Sequence, residues 1–161
     1  MPSEDTEWRQ FTFGRLLLFA LTTYQDRVIE IVRAEGFPEV RHVHFNVTRH
    51  IDFNAGSRIS DLAKRAGVTK GAMGQLVADC ERLGFVRRRA DPNDARVTIV
   101  ALSARGHALM DVTRSAGRRI EAAFAEAVGA SDFAALRDAL IALRDTIGVP
   151  AEAVQASRPK R

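Results

Sequence analysis

Residues 58–84 read RISDLAKRAGVTKGAMGQLVADCERLG and are the most informative part of the chain. Ser60 is typical of the residue before a helix, and Gly67 is typical of the residue that ends one. Thr69 and Gly84 bracket a second segment in the same way. The inward positions of that segment recur at helical spacing and are Ala72, Met73, Leu76, Val77, Cys80 and Leu83. The sequence therefore predicts two helices joined by a tight turn, a helix-turn-helix.

The apolar period changes after this pair of helices. Residues 85–89 and 97–101 are short β-favouring segments, and residues 90–95 between them read ADPNDA, a cluster of turn formers. This pattern predicts a β-hairpin with a basic stem and a protruding tip, which we call the wing.

Long amphipathic segments flank this central unit. Residues 6–34 predict a helix of nearly thirty residues, and residues 38–52 predict a second helix with Pro38 in its first turn. On the other side, Ser103 is expected to cap a helix that reaches residue 128, and Ser131 to cap a last helix that ends near residue 147. The fold class is mostly α with a small β-hairpin wing.

The first helix carries more apolar side chains than one packed face needs. Beyond its main stripe, Phe11, Leu18 and Phe19 lie on other sides of the helix. A helix that is apolar on more than one flank must bury against more than one surface. We therefore expect an interface between two copies of the chain. The domain division that follows is residues 6–52 and 104–148 for dimerisation, residues 53–103 for the helix-turn-helix and wing, and a disordered tail over residues 149–161.

Charge is concentrated in the middle of the chain. The net charge is only +4, but residues 57–106 hold ten Lys and Arg against five Asp and Glu. This local excess is the electrostatic pattern of a phosphate-binding module, although basic residues can also decorate a solvated face. The chain has one cysteine and no apolar run near the length of a membrane span, and its first residues are acidic, unlike a secretory signal. We therefore expect a cytoplasmic protein without a membrane partner.

The order of these elements resembles the MarR (multiple antibiotic resistance regulator) family of winged helix-turn-helix transcriptional regulators. The resemblance rests on residues 58–70 and on the wing, where Asp94-x-Arg96-x-x-x-Val100-x-Leu102-Ser103 follows Asp91-Pro92 and precedes Gly106. It extends over roughly residues 6–147 and implies a homodimer that represses genes by binding a pseudo-palindromic duplex operator. The chain departs from the family pattern at Gly71, at Gly74 and at Ala95, where side chains with hydrogen-bond donors are common.

The predicted DNA contacts lie on three elements: Ser60, Thr69, Lys70, Gly71, Gly74, Gln75, Arg88 and Arg96. Gln75 can pair with adenine through two hydrogen bonds, whereas Thr69 and Lys70 are placed to meet phosphate. Arg96 at the wing tip can enter a minor groove, while Asp94 is expected to order the tip. For Arg88 the alternative to phosphate contact is a salt bridge. For the two glycines the alternatives are close approach of the helix backbone to DNA and tolerance by packing.

The family resemblance also implies release of DNA by a small aromatic or phenolic effector. Trp8, Arg15 and His42 are the candidate contacts, and each has a structural role as its alternative. Cys80 occupies an inward position, so a buried structural thiol is favoured over an oxidant sensor. The histidines lack metal-ligand spacing, so neither a metal nor another cofactor is expected.

Two other classes of function compete with a DNA-binding regulator. An enzyme would need a nucleophile with a base, a metal constellation or a phosphate loop, and the sequence contains no such pattern, so no catalytic residue is assigned. A winged-helix protein-interaction module without DNA binding is the remaining alternative, favoured by the few donors on the second helix of the pair.

Overall fold

The structure is a computed structural model that describes residues 11–91 and 94–147. This part of the chain forms six α-helices and three strands. The helices are α1 (Phe13–Ala34), α2 (Phe45–Thr48), α3 (Ile59–Ala66), α4 (Lys70–Arg82), α5 (Ala104–Val128) and α6 (Ala130–Ile147), and the strands are β1 (Ser57–Arg58), β2 (Val86–Asp91) and β3 (Asp94–Leu102). A short 3₁₀ turn, His42–His44, precedes α2. The predicted fold class, mostly α with a β-hairpin wing, is confirmed.

The wing is part of a small antiparallel sheet with the strand order β1-β3-β2. In the hairpin Val86 pairs with Leu102 and Arg88 with Val100, and the register shifts at Ala90 and Asp91 near the tip. On its other side β3 pairs with β1, where Ser57 lies opposite Val100. The sequence did not predict β1, because two residues are too short for an alternating pattern to emerge.

One hydrophobic core joins the helix-turn-helix to the sheet, to the C-terminal half of α1 and to the first two-thirds of α5. Its largest fully buried apolar side chains are Phe85, Ile51, Leu62, Met73 and Leu109. These residues come from β2 and its approach, from the segment after α2, and from α3, α4 and α5. The core therefore fixes α4 against the wing.

The first predicted helix is shorter than expected. α1 begins at Phe13 and contains 22 residues, because Thr12 before it is extended with a ψ of 144°. Residues 1–10 lie outside the described residues, and so do residues 148–161, which include the predicted tail. α6 begins at Ala130, so Ser131 lies inside the first turn and is not its cap as predicted.

The predicted helix over residues 38–52 is wrong in extent, since only His42–His44 and α2 are helical. Arg41 is extended, and its backbone N–H donates to Nδ1 of His44 at 3.1 Å, which starts the helical path at residue 42 and not at Pro38. Beyond α2 the carboxylate of Asp52 accepts two backbone N–H groups and forms a turn. Side-chain hydrogen bonds to the backbone thus replace helical ones at both ends.

Candidate nucleic-acid interface

The N-terminus of α4 is capped as the sequence predicts. Thr69 is extended, and its Oγ1 accepts the backbone N–H of Ala72 at 3.2 Å. The turn before it passes through Gly67, whose φ of +66° is a left-handed conformation that favours glycine. The turn is therefore tight, and it leaves the first turn of α4 exposed to solvent.

One side of α4 is buried and the other is open to solvent. Met73, Val77 and Cys80 are buried, Gln75 is exposed on the opposite side, and Lys70 is exposed as the first residue of the helix. Neither the Lys70 ammonium nor the Gln75 amide has a partner among the described residues, so both remain available to a ligand. The prediction that Ala72 faces inward is wrong, because the first turn of α4 projects beyond the core.

Packing does not require the two glycines of α4. A Cβ built at Gly71 or Gly74 would meet no atom within 4 Å. A glycine inside a helix costs about 1 kcal/mol relative to alanine. Nothing within the described residues explains that cost, and close approach of the helix backbone to DNA stays a prediction.

The wing is held in place by an ion pair and hydrogen bonds at its stem and tip. Arg58 of β1 contacts the buried carboxylate of Asp91 at 3.0 Å, and the guanidinium of Arg89 donates to the backbone carbonyl of Ala55. At the tip Asp94 Oδ1 accepts the backbone N–H of Arg96 at 3.0 Å, so the prediction that Asp94 orders the tip is confirmed. The Arg96 side chain is exposed, and no carboxylate within the described ranges pairs with it.

Arg88 forms a salt bridge, which was the predicted alternative to a phosphate contact. Its Nε lies 3.4 Å from Glu81 Oε2, and its backbone N–H donates to Glu81 Oε1 at 3.2 Å. The neighbouring Arg87 is exposed and has no such partner in the part of the chain that the structure describes. The sequence did not reveal this pairing, because the alternation of residues along a strand does not show which arginine lies beside a glutamate of α4. A phosphate contact by Arg88 stays a prediction.

Ser60 is not the cap that the sequence suggested. α3 begins at Ile59 after an extended Arg58, which places Ser60 in the first turn. Its hydroxyl lies 3.4 Å from Asp61 Oδ1 and is exposed. The short strand β1 shifts the start of the helix by pairing residues 57 and 58 with β3. Ser60 still lies at an exposed helix N-terminus, and its DNA contact stays a prediction.

A buried histidine joins α4 to the turn before α2. His44 is fully buried, its Nδ1 accepts the N–H of Arg41, and its Nε2 lies 2.9 Å from Asp79 Oδ2. Nε2 therefore carries the ring proton and donates it to the carboxylate. Hydrogen bonds from His44 and from the guanidiniums of Arg82 and Arg41 lower the pKa of Asp79 to about 2. Sequence reasoning missed this link, because His44 and Asp79 are 35 residues apart in the chain.

The predicted effector contacts do not come together in the described residues. Trp8 lies outside them. Arg15 is exposed on the first half of α1, and His42 pairs at 3.1 Å with Asp26, three helical turns further along that helix. A shallow groove of about 340 Å³ between α1 and α5 includes neither of these residues. Its lining consists of Arg27, Glu30, Ile31, Arg119, Ile120 and Ala123. Arg15 and His42 remain predictions.

Cys80 is the buried residue that its inward position predicted. Its side chain is fully buried on the inner face of α4. Burial, and secondarily the charge of Asp79, raises the pKa of the thiol to about 12. Because the thiolate is the reactive form, this environment suppresses reaction with oxidants.

Metal clusters and membrane-spanning helices are both absent from the described residues. Residues 11–91 and 94–147 contain no group of three or more His, Cys, Asp or Glu side chains arranged to hold a metal ion. No helix among them combines the length and apolar character needed to cross a membrane.

Taken together, the tight helix-turn-helix of α3 and α4, with α4 capped and exposed at its first turn, and the ordered hairpin define a winged helix-turn-helix protein. Residues 42–97 match the family model described as MarR family. MarR from E. coli in its apo form is similar in fold, with a TM-score of 0.68 and 22% identity over 83% of this chain and 97% of that one. The MarR family match thus covers residues 42–97, and the described residues share the winged helix-turn-helix fold of the solved MarR structures.

Two further solved structures share the fold and were determined with ligands. A point mutant of MepR from S. aureus, bound to an oligodeoxyribonucleotide, has a TM-score of 0.58 and 15% identity, covering 86% of this chain and 99% of that one. CouR from Rhodococcus jostii, bound to p-coumaroyl-CoA, has a TM-score of 0.62 and 21% identity, covering 81% and 90%. No curated protein matches the sequence.

Proposed function

We propose that this protein is a sequence-specific regulator that binds double-stranded DNA. The observation that carries the proposal is the exposed first half of α4, where Lys70 in the first turn and Gln75 on the open face have no partner among the described residues and Gly71 and Gly74 leave the helix backbone uncovered. An α-helix fits the major groove of B-DNA, and its first turns meet base edges. A glutamine there can pair with adenine through two hydrogen bonds.

Arg96 supplies the second contact of this proposal. The wing tip carries an exposed guanidinium without a carboxylate partner in the described ranges, and its backbone is ordered by Asp94. A minor groove focuses negative potential, which attracts arginine. Thr69, at the helix N-terminus, and Ser60, at the N-terminus of α3, are placed to meet phosphates. We propose residues 53–103 as the DNA-reading unit.

The protein is proposed to act as a homodimer. Large apolar side chains remain exposed on the single chain along the outer half of α1 and along α6: Phe11, Phe13, Leu16, Leu17, Leu18, Phe19, Leu21, Leu136, Leu140, Ile141, Leu143 and Ile147. An exposed apolar surface of this extent marks an interaction site. A twofold pair would present two copies of α4 to a pseudo-palindromic operator with half-sites about 10 bp apart.

Repression, and release by a small effector, complete the proposal. CouR binds an aromatic acyl thioester, and we extend a small aromatic or phenolic effector to this chain by analogy with that relative. The groove between α1 and α5 is lined by Arg27, Arg119 and Glu30, and Arg119 pairs with Glu35, so we propose Arg27 as the group that would meet an acidic ligand. As a DNA-binding regulator, the protein would act in the cytoplasm.

The alternative function is a winged-helix module that binds another protein. It is favoured by one observation, the scarcity of donors on α4, where Gly71, Ala72, Gly74 and Ala78 carry none. Such a module would not bind duplex DNA at low salt. A catalytic role has no comparable support, and no catalytic residue is proposed.

Fluorescence anisotropy with a labelled duplex from the DNA that flanks the gene tests the proposal. Binding at about 50 mM salt should weaken steeply by about 200 mM, because phosphate contacts release counterions. Gln75→Ala and Arg96→Gln should weaken binding, whereas Arg114→Gln, which breaks an exposed ion pair with Asp111 on α5, should not. Absence of binding at low salt would favour the protein-interaction module.

A further inference from the structure

Two exposed arginines converge on one carboxylate of α4. Asp79 Oδ2 accepts a hydrogen bond from Nη2 of Arg41 at 2.5 Å, and its Oδ1 accepts one from Nη2 of Arg82. The side chains of Arg41 and Arg82 are nevertheless 60% and 69% exposed. Each guanidinium has five N–H donors, so most of them remain free to face solvent.

The carboxylate that joins these arginines is itself held in place. Asp79 also accepts the Nε2 proton of His44, which is fully buried and fixed on its other side by the backbone of Arg41. The anchor lies in the core, while the two guanidiniums lie at the surface. This arrangement limits the freedom of two side chains that are otherwise among the most flexible in proteins.

The charges of this group do not cancel. Two guanidiniums and one carboxylate leave one positive charge, and the neutral imidazole adds none. Exposed ion pairs contribute little to stability, and two cations on one carboxylate also repel each other. The net attraction is therefore toward an anion that contacts both guanidiniums from the solvent side.

The position along α4 identifies that anion. Arg82 follows Gln75 by seven residues, two helical turns, and is therefore on the same exposed face about 10 Å further along the helix. Arg41 reaches the same place from the turn before α2. When the first turns of α4 enter a major groove, this end of the helix approaches the strand that borders the groove.

We propose that Arg41 and Arg82 form a clamp for a backbone phosphate of duplex DNA, spaced by Asp79. The proposal rests on the proposed function and adds two contacts that the sequence did not suggest. A guanidinium pair fits phosphate oxygens through parallel N–H donors. Since phosphate carries no base identity, the clamp contributes affinity and orientation on any sequence.

The test compares the double variant R41Q/R82Q with the wild type by anisotropy over a series of salt concentrations. Loss of one phosphate contact in each half-site should weaken binding of the dimer to operator and to unrelated duplex alike, about tenfold or more, and should lower the slope of log K against log salt by about two for the two half-sites together. The matched control is Arg114→Gln, which removes an arginine from another ion pair with an aspartate three residues away. The control should retain the wild-type affinity and slope.

Neutral methylphosphonate linkages in the duplex provide a second test that needs no folded variant. Wild-type protein should lose affinity when one or two linkages in each half-site are neutral. In a separate measurement, Arg41→Lys or Arg82→Lys should weaken binding to the unmodified duplex with an unchanged salt slope. A folded R41Q/R82Q variant with wild-type affinity and slope would overturn the clamp, and so would wild-type binding insensitive to every neutral linkage. Failure of the wild type to bind any duplex at low salt would instead overturn the proposed function.

Discussion

The α-carbon of Gly106 lies against the backbone carbonyl of Phe85, so a Cβ at residue 106 would stand 1.9 Å from that oxygen. The same carbonyl accepts the N–H of Ser103, whose Oγ caps α5 by accepting the Gly106 N–H at 3.0 Å. This junction joins the wing to the start of α5 without a side chain between them. It therefore sets how the DNA-reading unit is attached to the helices proposed for dimerisation.

Gly106→Ala is expected to destabilise the fold. The new methyl must displace backbone, and overpacking of this kind costs about 1–3 kcal/mol. Urea denaturation followed by circular dichroism measures the change. Gly14→Ala is the control, because a Cβ at that helical glycine meets nothing within 4 Å. A Gly106→Ala variant as stable as the wild type would contradict the close approach.

Gly71→Ala and Gly74→Ala should have the opposite effect on stability. Each adds a methyl to open space on α4 and should raise the free energy of unfolding by up to about 1 kcal/mol. If DNA approaches the helix backbone here, the same variants bind duplex more weakly. Thermal unfolding and anisotropy, measured on the same samples, separate the two effects. Greater stability with unchanged affinity would show that the DNA does not approach at these residues.

Asp79→Asn should alter how stability depends on acid. The pKa of Asp79 is lowered to about 2 in the folded chain from an ordinary 3.8, so the folded state favours the charged form. Its contribution is present above about pH 4 and is lost as the pH falls toward 2. The denaturation midpoint of the wild type should therefore decrease more between pH 4 and pH 2 than that of the variant. Parallel curves for the two proteins would be inconsistent with the His44 and arginine contacts.

Cys80 should resist modification in the folded protein. Its pKa is raised to about 12 by burial, so almost no thiolate forms at pH 8. A thiol reagent such as 5,5′-dithiobis(2-nitrobenzoic acid) should react fully only after denaturant is added. Peroxide should leave duplex binding of the wild type equal to that of Cys80→Ala. Rapid labelling of the native protein would mean that the inner face of α4 opens to solvent.

Local signals in the sequence were sufficient to predict the helix-turn-helix and the wing. Thr69 caps α4 and Gly67 turns the chain before it, both through interactions between near neighbours. The inward period of α4 predicted buried Met73, Val77 and Cys80 for the same reason. The family resemblance, carried by residues 58–70 and by the wing residues from Asp91 to Gly106, agrees with the family match over residues 42–97 and with the fold of the solved structures.

Contacts between distant segments could not be read from the sequence. Ser60 was expected to cap α3, but pairing of Ser57 with Val100 moved the start of the helix. The link from His44 to Asp79 crosses 35 residues. The pairing of the wing arginines could not be read from the sequence either. Arg88 forms an ion pair with Glu81, whereas Arg87 has no partner in the described residues.

Footprinting of the DNA that flanks the gene is the most direct measurement of the central claim, that α4 and the wing read duplex DNA in paired copies. Hydroxyl-radical cleavage should show two protected stretches related by a twofold axis, with centres about one helical turn, roughly 10 bp, apart. Loss of both stretches with Arg96→Gln and Gln75→Ala would tie them to the wing and to α4. Uniform cleavage across the whole fragment at low salt, with a folded and dimeric protein, would contradict the account.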